Sequence, residues 1–202
     1  MKNIFLSTSS HLWAWYLRHR GAQVGKNFSV NGKISFLLRN NAKFSNLVIG
    51  DNVTFNGPIY IRIRKNGSII LGDGVTAGPE VWLVAANNCT LAAGSNSILG
   101  SYNILNGGHG ITIGENCLFA AFVYVNTSDH SFQKGKLIQE QGYFGAPIKI
   151  GTDVWLGGHC FINKGVNINS GAVVGSGSIV THDVPENAIV GGNPAKIIKY
   201  RK

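Results

Sequence analysis

Charged residues are scarce in this chain of 202 residues: they make up 13% of it, with nine Asp and Glu against eighteen Lys and Arg. Low charge together with 27 glycines and no collagen-like period is typical of a solenoid, in which backbone ladders satisfy polar groups and corners need Gly. The net charge of +9 fits a soluble basic surface or an anionic partner: a nucleic acid, a phosphorylated cofactor, an acidic glycan or a membrane. The chain lacks an arginine-rich arm, zinc-finger spacing and an RNA-binding aromatic motif, so we expect no nucleic-acid partner.

Cysteines are also few, and long apolar runs are missing. Cys89, Cys117 and Cys160 are odd in number and have no CxxC spacing, which argues against a disulfide framework and a structural zinc site. Near the N-terminus the apolar run covers only residues 4–6, which is too short for a signal peptide or a membrane span. We therefore expect a reducing, cytoplasmic setting and no resident metal.

A six-residue period dominates residues 150–180. Each block of six begins with a branched aliphatic residue: Ile150, Leu156, Ile162, Ile168, Val174 and Val180. A period of six fits neither the 3.6 residues of a helical turn nor the alternation of a flat strand. It fits a chain that turns a corner every six residues, with one inward side chain on each flat side and Gly or Asn at the bends. The period therefore predicts an all-β solenoid, a parallel β-helix whose coils bury their faces against one another.

The remaining segments divide the chain into three regions. Residues 1–22 are expected to form an N-terminal helical cap, with the helix mainly at residues 10–20, because aromatic residues there precede a cationic last turn and Gly21. An alternative use of such a basic aromatic helix is weak contact with a membrane surface. Residues 23–184 are expected to form the β-helix, interrupted by an extruded loop at 126–147, where no hexad can be drawn. Residues 185–202 close the chain and include a short helix over 193–199.

Three motifs resemble the hexapeptide-repeat (left-handed β-helix) acyltransferases, and most nearly the subgroup that O-acetylates sugars and surface polysaccharides, alongside the galactoside and maltose acetyltransferases. They are APIKIGTDVWLG at residues 146–157, GSGSIVT at 175–181 and GGNPAK at 191–196, with Asp129-His130 upstream. The resemblance covers the chain from about residue 111 to its end, and the first hundred residues match only as generic repeats. It implies left-handed coils, acetyl transfer from acetyl-CoA to a hydroxyl, and a homotrimer with active sites between neighbouring subunits.

The resemblance also implies roles for individual residues. The family's general base falls on His130, and the indole beside the pantetheine arm of acetyl-CoA falls on Trp155. Further cofactor contacts fall on Gly158, Ser176, Thr181, Lys196 and Lys199. Two departures from the family pattern are visible: His182 stands where a Lys often follows the Thr, and Lys196 and Lys199 stand where Arg is common. Phosphate contacts would then be point charges and not bidentate forks.

The chemistry of the residues agrees with this assignment. A sugar hydroxyl needs a positioned base to attack a thioester near neutral pH, and imidazole titrates in the right range. Asp129 is next to His130, and neighbours in an extended segment point to opposite sides, so we expect Asp129 to order the loop or meet the acceptor. Asn103 and Asn106, on the coil below the loop, are further acceptor-binding candidates, and His109 is the second candidate for a site histidine. Backbone N–H groups of residues 155–158 are candidate oxyanion donors.

The leading hypothesis is an acetyl-CoA-dependent O-acetyltransferase acting on a sugar hydroxyl of a capsule, a lipopolysaccharide or another surface glycan or its precursor. A second hypothesis within the fold is a xenobiotic or amino-sugar acetyltransferase. A third, from a different class, is a non-catalytic trimeric β-helix used for assembly or for binding zinc through histidines on adjacent coils.

Overall fold

The computed structural model describes residues 2–202, with side chains from Ser10 onward. The chain winds into seven coils, each made of three short parallel strands separated by corners. Where the coils are regular, a full turn of the column takes eighteen residues, so that Lys149 lies beside Asn167. Three sides of six residues are what the hexad predicts. The side chains that head the hexads, such as Ile150, Leu156 and Ile162, point inward and are buried.

The strands stack into three sheets, which we call A, B and C in the order in which a coil passes through them. Sheet A contains β1 (Gln23–Val24), β4 (Leu47–Ile49), β7 (Ser68–Leu71), β10 (Thr90–Ala93), β13 (Ile111–Ile113), β18 (Ile148–Ile150) and β21 (Asn167–Ile168). Sheet B contains β2 (Ser29–Val30), β5 (Thr54–Phe55), β8 (Thr76–Ala77), β11 (Ile98–Leu99), β14 (Leu118–Phe119), β19 (Trp155–Leu156), β22 (Val173–Val174), β24 (Ala188–Gly191) and β25 (Lys196–Tyr200). Sheet C contains β3 (Ile34–Arg39), β6 (Ile59–Arg64), β9 (Val81–Ala85), β12 (Ile104–Gly107), β15 (Tyr124–Asn126), β20 (Phe161–Ile162) and β23 (Ile179–Val180).

The early coils are longer than eighteen residues because their strands in sheet C are longer and end in tight turns at the corner between sheets C and A. The additional residues at this corner, which we call the C–A corner, interrupt the six-residue period in the first half of the sequence. The turns use residues with positive φ: Asn40, Asn41, Lys65, Asn66, Asn87 and Asn88. Asn tolerates this left-handed conformation better than other non-glycine residues.

The N-terminal helix α1 spans Lys2–His19 and packs on the first coil. Its C-terminal end agrees with the prediction from the cationic last turn, but its start is eight residues earlier than predicted. Helix propensity is a weak guide here because Ser costs only a few tenths of a kcal/mol in a helix interior. Within the helix, the buried Ser10 hydroxyl accepts a hydrogen bond from the Val30 N–H at 2.8 Å and so ties α1 to sheet B.

The interruption at residues 126–147 leaves the coil as a β-hairpin. Its strands β16 (Ser128–His130) and β17 (Tyr143–Gly145) pair in antiparallel fashion, and the segment between them contains a short 3₁₀ turn at Ile138–Glu140. Another 3₁₀ turn lies at Phe44–Asn46 in the first coil. The hairpin leaves the column at the C–A corner, immediately after β15.

The C-terminal helix expected over residues 193–199 is wrong. Strand β25 instead runs back antiparallel to β24, with Lys196 opposite Gly191 and Tyr200 opposite Ala188. The last coil would otherwise end in an unpaired edge of sheet B, and a returning strand supplies the missing hydrogen bonds. Pairing with a sheet edge thus outweighs the weak helix signal of Pro194. Among the described residues, no helix combines the length and apolar character needed to cross a membrane.

Candidate active site

The two faces of the hairpin carry different side chains. In the pairing of β16 with β17, His130 lies opposite Tyr143 and Asp129 lies opposite Phe144. The ring centroids of His130 and Tyr143 are 4.1 Å apart and the ring planes are tilted by 44°, so that the tyrosine packs beside the imidazole. The imidazole is exposed, and the strand that carries it is held by the ladder to β17. The hairpin therefore presents His130 to solvent from a defined backbone position.

Asp129 faces the other way and contacts Lys164, at the C–A corner of the next coil. The Lys164 ammonium donates to Asp129 Oδ2 and also lies over the Phe144 ring, 4.7 Å from its centroid. This geometry agrees with the expectation that Asp129 orders the loop, and Asp129 does not orient His130. Its role in acceptor binding stays a prediction.

A cavity of about 270 Å³ lies below the hairpin, on the same side as His130 and Tyr143. Its wall is polar and basic, and it is formed by corner residues of the first to fourth coils together with the hairpin: Asn40, Arg64, Lys65, Ala86, Asn87, Asn106, Gly108, His109, Ser128 and Tyr143. Loops held on a rigid scaffold are where chemistry tends to be placed. The cavity therefore adjoins Tyr143, the residue that packs beside the His130 imidazole.

His109 forms one wall of the cavity below the hairpin. Its backbone N–H donates to the hydroxyl of Thr127 at 3.0 Å, and that hydroxyl donates to the Asn106 carbonyl at 2.8 Å. His109 Nδ1 is buried and has no hydrogen-bond partner among the described residues. A Cβ added to Gly145 would overlap this ring and the Thr127 carbonyl, so the hairpin base packs directly on His109. His109, the second candidate for a site histidine, thus lies at the foot of the hairpin.

The two asparagines predicted to meet the acceptor have different positions. Asn106 lines the cavity, and its Nδ2 donates to Asn126 Oδ1 at 2.9 Å. Asn103 is 0% exposed, and its Oδ1 accepts a hydrogen bond from the Val123 N–H at 2.8 Å inside the column. The prediction of an acceptor contact is therefore not supported for Asn103, because its short polar side chain bonds the backbone of the next coil.

Trp155 lies on the outer face of sheet B and is 50% exposed. In the ladder it stands between Leu118 and Val173, and Val173 in turn lies beside Ile189. Ile189 is opposite Lys199 of β25, so that Trp155 and Lys199 belong to one row across the sheet. An exposed indole followed by apolar residues and a cation is suited to a ligand with an apolar arm and a phosphate end.

The other predicted cofactor residues are divided between two corners and one strand. Gly158 and Ser176 lie at the corner between sheets B and C, Lys196 lies on β25, and Thr181 follows β23 at the C–A corner. The Thr181 hydroxyl is 2.9 Å from His182 Nδ1.

The backbone N–H groups of Trp155 and Gly157 already donate to the carbonyls of Ala172 and Val174 at 3.0 and 2.8 Å. These two donors are therefore engaged in the sheet, and the expected oxyanion role of their N–H groups is not supported.

Within a single chain, His130 and Trp155 lie on opposite sides of the column. His130 extends from the C–A corner, and Trp155 lies on sheet B, which is the side opposite that corner in a three-sided column. The structure thus brings His130 together with Tyr143, His109 and Asn106, but not with the predicted cofactor residue Trp155.

Neither Lys164 nor Tyr143 was predicted from the sequence. Counting hexads places Lys164 at the same corner as the loop, so the repeat itself contained a signal for its contact with Asp129. Tyr143 had no such signal, because the pairing of β16 with β17 spans a segment without periodicity. The described residues contain no cluster of three or more His, Cys, Asp and Glu side chains arranged to hold a metal ion.

Comparison with known proteins agrees with this architecture. No family model matches the chain. Galactoside O-acetyltransferase of Escherichia coli K12 is 32% identical over 151 residues, which cover 72% of this chain and 73% of that protein. A putative acetyltransferase of Saccharomyces cerevisiae is 36% identical over 178 residues, which cover 76% of this chain and 90% of that protein. This chain spans only 52% of the length of another relative, a probable acetyltransferase of Mycobacterium tuberculosis.

Among solved structures, AntD, an N-acyltransferase from Bacillus cereus, matches with a TM-score of 0.65 at 21% identity, over 93% of this chain and 88% of AntD. Parallel coils of three short strands, with a hairpin extruded at one corner, match the fold of the left-handed β-helix acetyltransferases, and the winding expected from the resemblance is confirmed. The chain belongs to the hexapeptide-repeat acyltransferase family, in which galactoside O-acetyltransferase is a relative.

Proposed function

We propose that this protein is an acetyl-CoA-dependent O-acetyltransferase that acetylates a sugar hydroxyl of a surface glycan or its precursor, with His130 as general base. The observation that carries the proposal is the exposed imidazole of His130, held on a hairpin beside a polar cavity. A base in this position can reach a hydroxyl bound in the cavity. The sugar O-acetyltransferases among the relatives support the class of acceptor.

In the proposed reaction, the free nitrogen of His130 takes the proton of the acceptor hydroxyl as the oxygen attacks the thioester carbonyl. A tetrahedral intermediate forms and collapses, the C–S bond breaks, and the CoA thiolate leaves. The imidazolium returns its proton to that thiolate, so the products are an acetyl ester and free CoA. Tyr143 packs on the imidazole and restricts its orientation.

The cofactor is assigned to the outer face of sheet B. The Trp155 indole is placed beside the pantetheine arm, and the Lys196 and Lys199 ammonium groups near the phosphates. Both lysines are exposed on the edge strand β25, where they are free to approach an anion. AntD was solved in complex with 3-hydroxybutyryl-CoA, which supports an acyl-CoA as the donor for this fold.

We further propose that the site is completed in a homotrimer. His130 and Trp155 lie on opposite sides of one column, so a single chain does not unite base and cofactor. Sheet B presents Ile98 and Leu118, each 45% exposed, beside Trp155. The corner between sheets B and C carries the stacked rings of Tyr102, Phe122 and His159, at 4.9 and 4.7 Å. These apolar surfaces support packing of columns side by side, with the hairpin of one subunit next to sheet B of another.

Two smaller assignments accompany this proposal. Leu12 and Trp15 are 67% and 64% exposed on α1, which supports a weak contact of the helix with a membrane surface. Flotation with anionic vesicles tests the membrane contact: the double variant Leu12→Ser and Trp15→Ser should lose binding, and equal flotation of variant and wild type would contradict it.

All three cysteines are free thiols, which supports a reducing cytoplasmic compartment.

The experiment that tests the function is release of CoA from acetyl-CoA with a panel of sugars, amino sugars and surface polysaccharides. We expect release with a hydroxyl acceptor and a fall in turnover of about 10²–10⁴-fold in His130→Ala, with little change in the melting curve. His11→Ala is the matched control, because His11 is exposed on α1, far from the hairpin in the fold. Acetylation confined to amino groups, or full activity of His130→Ala, would refute the proposal.

A further inference from the structure

A single column of side chains climbs the C–A corner toward the hairpin. The sheet register places four residues in line: Asn40, Lys65, Asn87 and His109. All four line the cavity below the hairpin. Asn40 and Asn87 have φ values of 53° and 56°, as expected for a tight turn. The corner is thus a repeated structural unit in which one position has been filled by a lysine.

Lys65 stands out because its backbone has the same left-handed conformation, with φ 47°. Of the six residues with positive φ at the C–A corners of the first three coils, the other five are asparagines. Lysine lacks the short polar side chain that makes this conformation acceptable for Asn, so it carries a conformational cost that an Asn would avoid. Lys65 thus lowers the stability of the fold at the wall of a cavity, which indicates that its charge has a function there.

The charges around this position add a second observation. Arg64 precedes Lys65 and also lines the cavity, and the ladder places Arg64 directly beside Arg39 of the coil below. Like charges opposite each other on neighbouring strands are destabilising. The cavity wall contains no Asp or Glu, and the two ion pairs among the described residues involve Lys164 and Arg201. Arg64 and Lys65 therefore have no carboxylate partner within the region that the structure describes.

The polar groups of the wall suit a carbohydrate. Asn87 and Asn106 spend an amide N–H on Gly108 and Asn126, at 3.0 and 2.9 Å, and this leaves their carbonyl oxygens available to sugar hydroxyls. The Ser128 hydroxyl lies on the hairpin side of the same cavity. The cavity wall thus offers both hydrogen-bond acceptors for sugar hydroxyls and cations.

From these observations we infer that the cavity below the hairpin is an acceptor subsite for a sugar that carries a negative charge. This inference rests on the proposed function, because it places the sugar next to His130. Arg64 and Lys65 bind the anionic substituent, either a carboxylate of the ring or a phosphate, and Asn87 and Asn106 bind hydroxyl groups. The binding orients the ring so that another of its hydroxyls faces the imidazole.

The test compares acetylation of acidic and neutral acceptors by the double variant Arg64→Gln and Lys65→Gln. Three acceptors are used: oligosaccharides with uronic or sialic acids, sugar phosphates, and neutral sugars of similar size. We expect kcat/KM for the preferred acidic class to fall about tenfold for each cation removed, since hydrogen bonds to charged groups contribute about 1.5–3 kcal/mol each. The loss for neutral sugars should be at least tenfold smaller. The difference between the two acidic classes identifies the anion.

The matched control is Lys26→Gln with Lys33→Gln, which removes the same charge from exposed positions at other corners. It should retain wild-type kcat/KM for acidic acceptors, so that a general effect of net charge is separated from the subsite. The affinity of the wild-type protein for acidic acceptors should also fall more steeply with added salt than the affinity of the Arg64/Lys65 variant. Equal losses for acidic and neutral acceptors, or wild-type activity of the Arg64/Lys65 variant on acidic ones, would overturn the inference.

Binding measured without turnover separates this inference from the proposed function. Titration calorimetry of acidic oligosaccharides with His130→Ala reports the subsite alone. If binding requires Arg64 and Lys65 but the protein transfers acetyl to no acceptor, the proposed subsite is retained and the proposed transferase function is refuted. Acetyl transfer to neutral sugars, with no binding of acidic ones, would retain the transferase and refute the subsite.

Discussion

Asp129 and Lys164 form an ion pair that joins the extruded hairpin to the next coil of the column. The pair holds one face of the hairpin, and His130 with Tyr143 occupies the other face. The side chains of Asp129 and Lys164 are 44% and 26% exposed, so the pair contributes at most about 1 kcal/mol to folding. We expect the pair to act mainly on the position of the hairpin, which carries His130.

The first prediction concerns this anchor. Lys164→Met should lower kcat/KM about tenfold, because small displacements of a catalytic group are costly, and should leave the melting temperature nearly unchanged. Kinetics and thermal melting measured together check both effects. Arg201→Gln is the control, because it breaks the ion pair of Arg201 with Asp153 elsewhere on the column. A parallel loss of activity in both variants would contradict the anchoring role.

The second prediction concerns the foot of the hairpin. Gly145→Ala should destabilise the protein by about 1–3 kcal/mol and reduce transfer, because its new methyl group would overlap His109 and the Thr127 carbonyl. Gly108→Ala is the control: it also lies at the cavity, but the nearest atom to its added Cβ is 4.0 Å away. Denaturant unfolding of the two variants checks the difference. Equal free energies of unfolding would show that the hairpin base is loosely packed.

The third prediction follows from a site shared by two subunits. His130→Ala and Trp155→Ala should each be nearly inactive alone, and unfolding and refolding them together in equal amounts should restore activity. In randomly mixed trimers about a quarter of the interfaces combine an intact imidazole with an intact indole, so about a quarter of wild-type activity is expected. The assay compares mixtures refolded together with mixtures combined after folding. Failure of co-refolded mixtures to regain activity would contradict a site shared between subunits.

The fourth prediction concerns the thiols. Burial raises the pKa of the Cys117 and Cys160 thiols, and their Sγ atoms donate to the carbonyls of Gly151 and Gly175 at 3.0 and 3.1 Å. A raised pKa leaves less of the reactive thiolate near pH 8. Mass spectrometry after treatment with iodoacetamide should find Cys89 modified in the folded protein, and the other two only after unfolding. Rapid labelling of Cys160 in the native state would contradict the packing of the column.

The fifth prediction concerns acid. The backbone N–H and the side-chain N–H of Asn167 donate to the Asp183 carboxylate at 2.7 and 3.1 Å and lower its pKa. The resulting stabilisation is fully present above the pKa of the unfolded state, about 3.9, and is lost as the pH falls through the lower folded value. Asp183→Asn should therefore melt at a lower temperature than wild type at pH 6. This difference in melting temperature should become smaller below pH 4. The exposed Glu186→Gln is the control, for which no such gap is expected.

Much of the fold could be predicted because the direction of each inward side chain depends only on its position in its own hexad. Ile150, Leu156 and Ile162 each head a hexad and each point into the column, so the six-residue period alone indicates three sides. The prediction failed where a segment pairs with something distant in the sequence. Strand β25 depends on its pairing with β24 at the end of the column, and the local sequence does not encode that pairing.

For the site, local residue types were enough to predict the period of the coils, the extruded segment and the presence of His130 within it. The three-dimensional fold was needed to show that Asp129 turns away to Lys164, that Asn103 is internal, and that Arg64 and Lys65 stand with His109 in one cavity. It also separated His130 from Trp155 across the column. These relations join residues from different coils, and their distances follow from how coils stack and where the hairpin folds back, which no local pattern encodes.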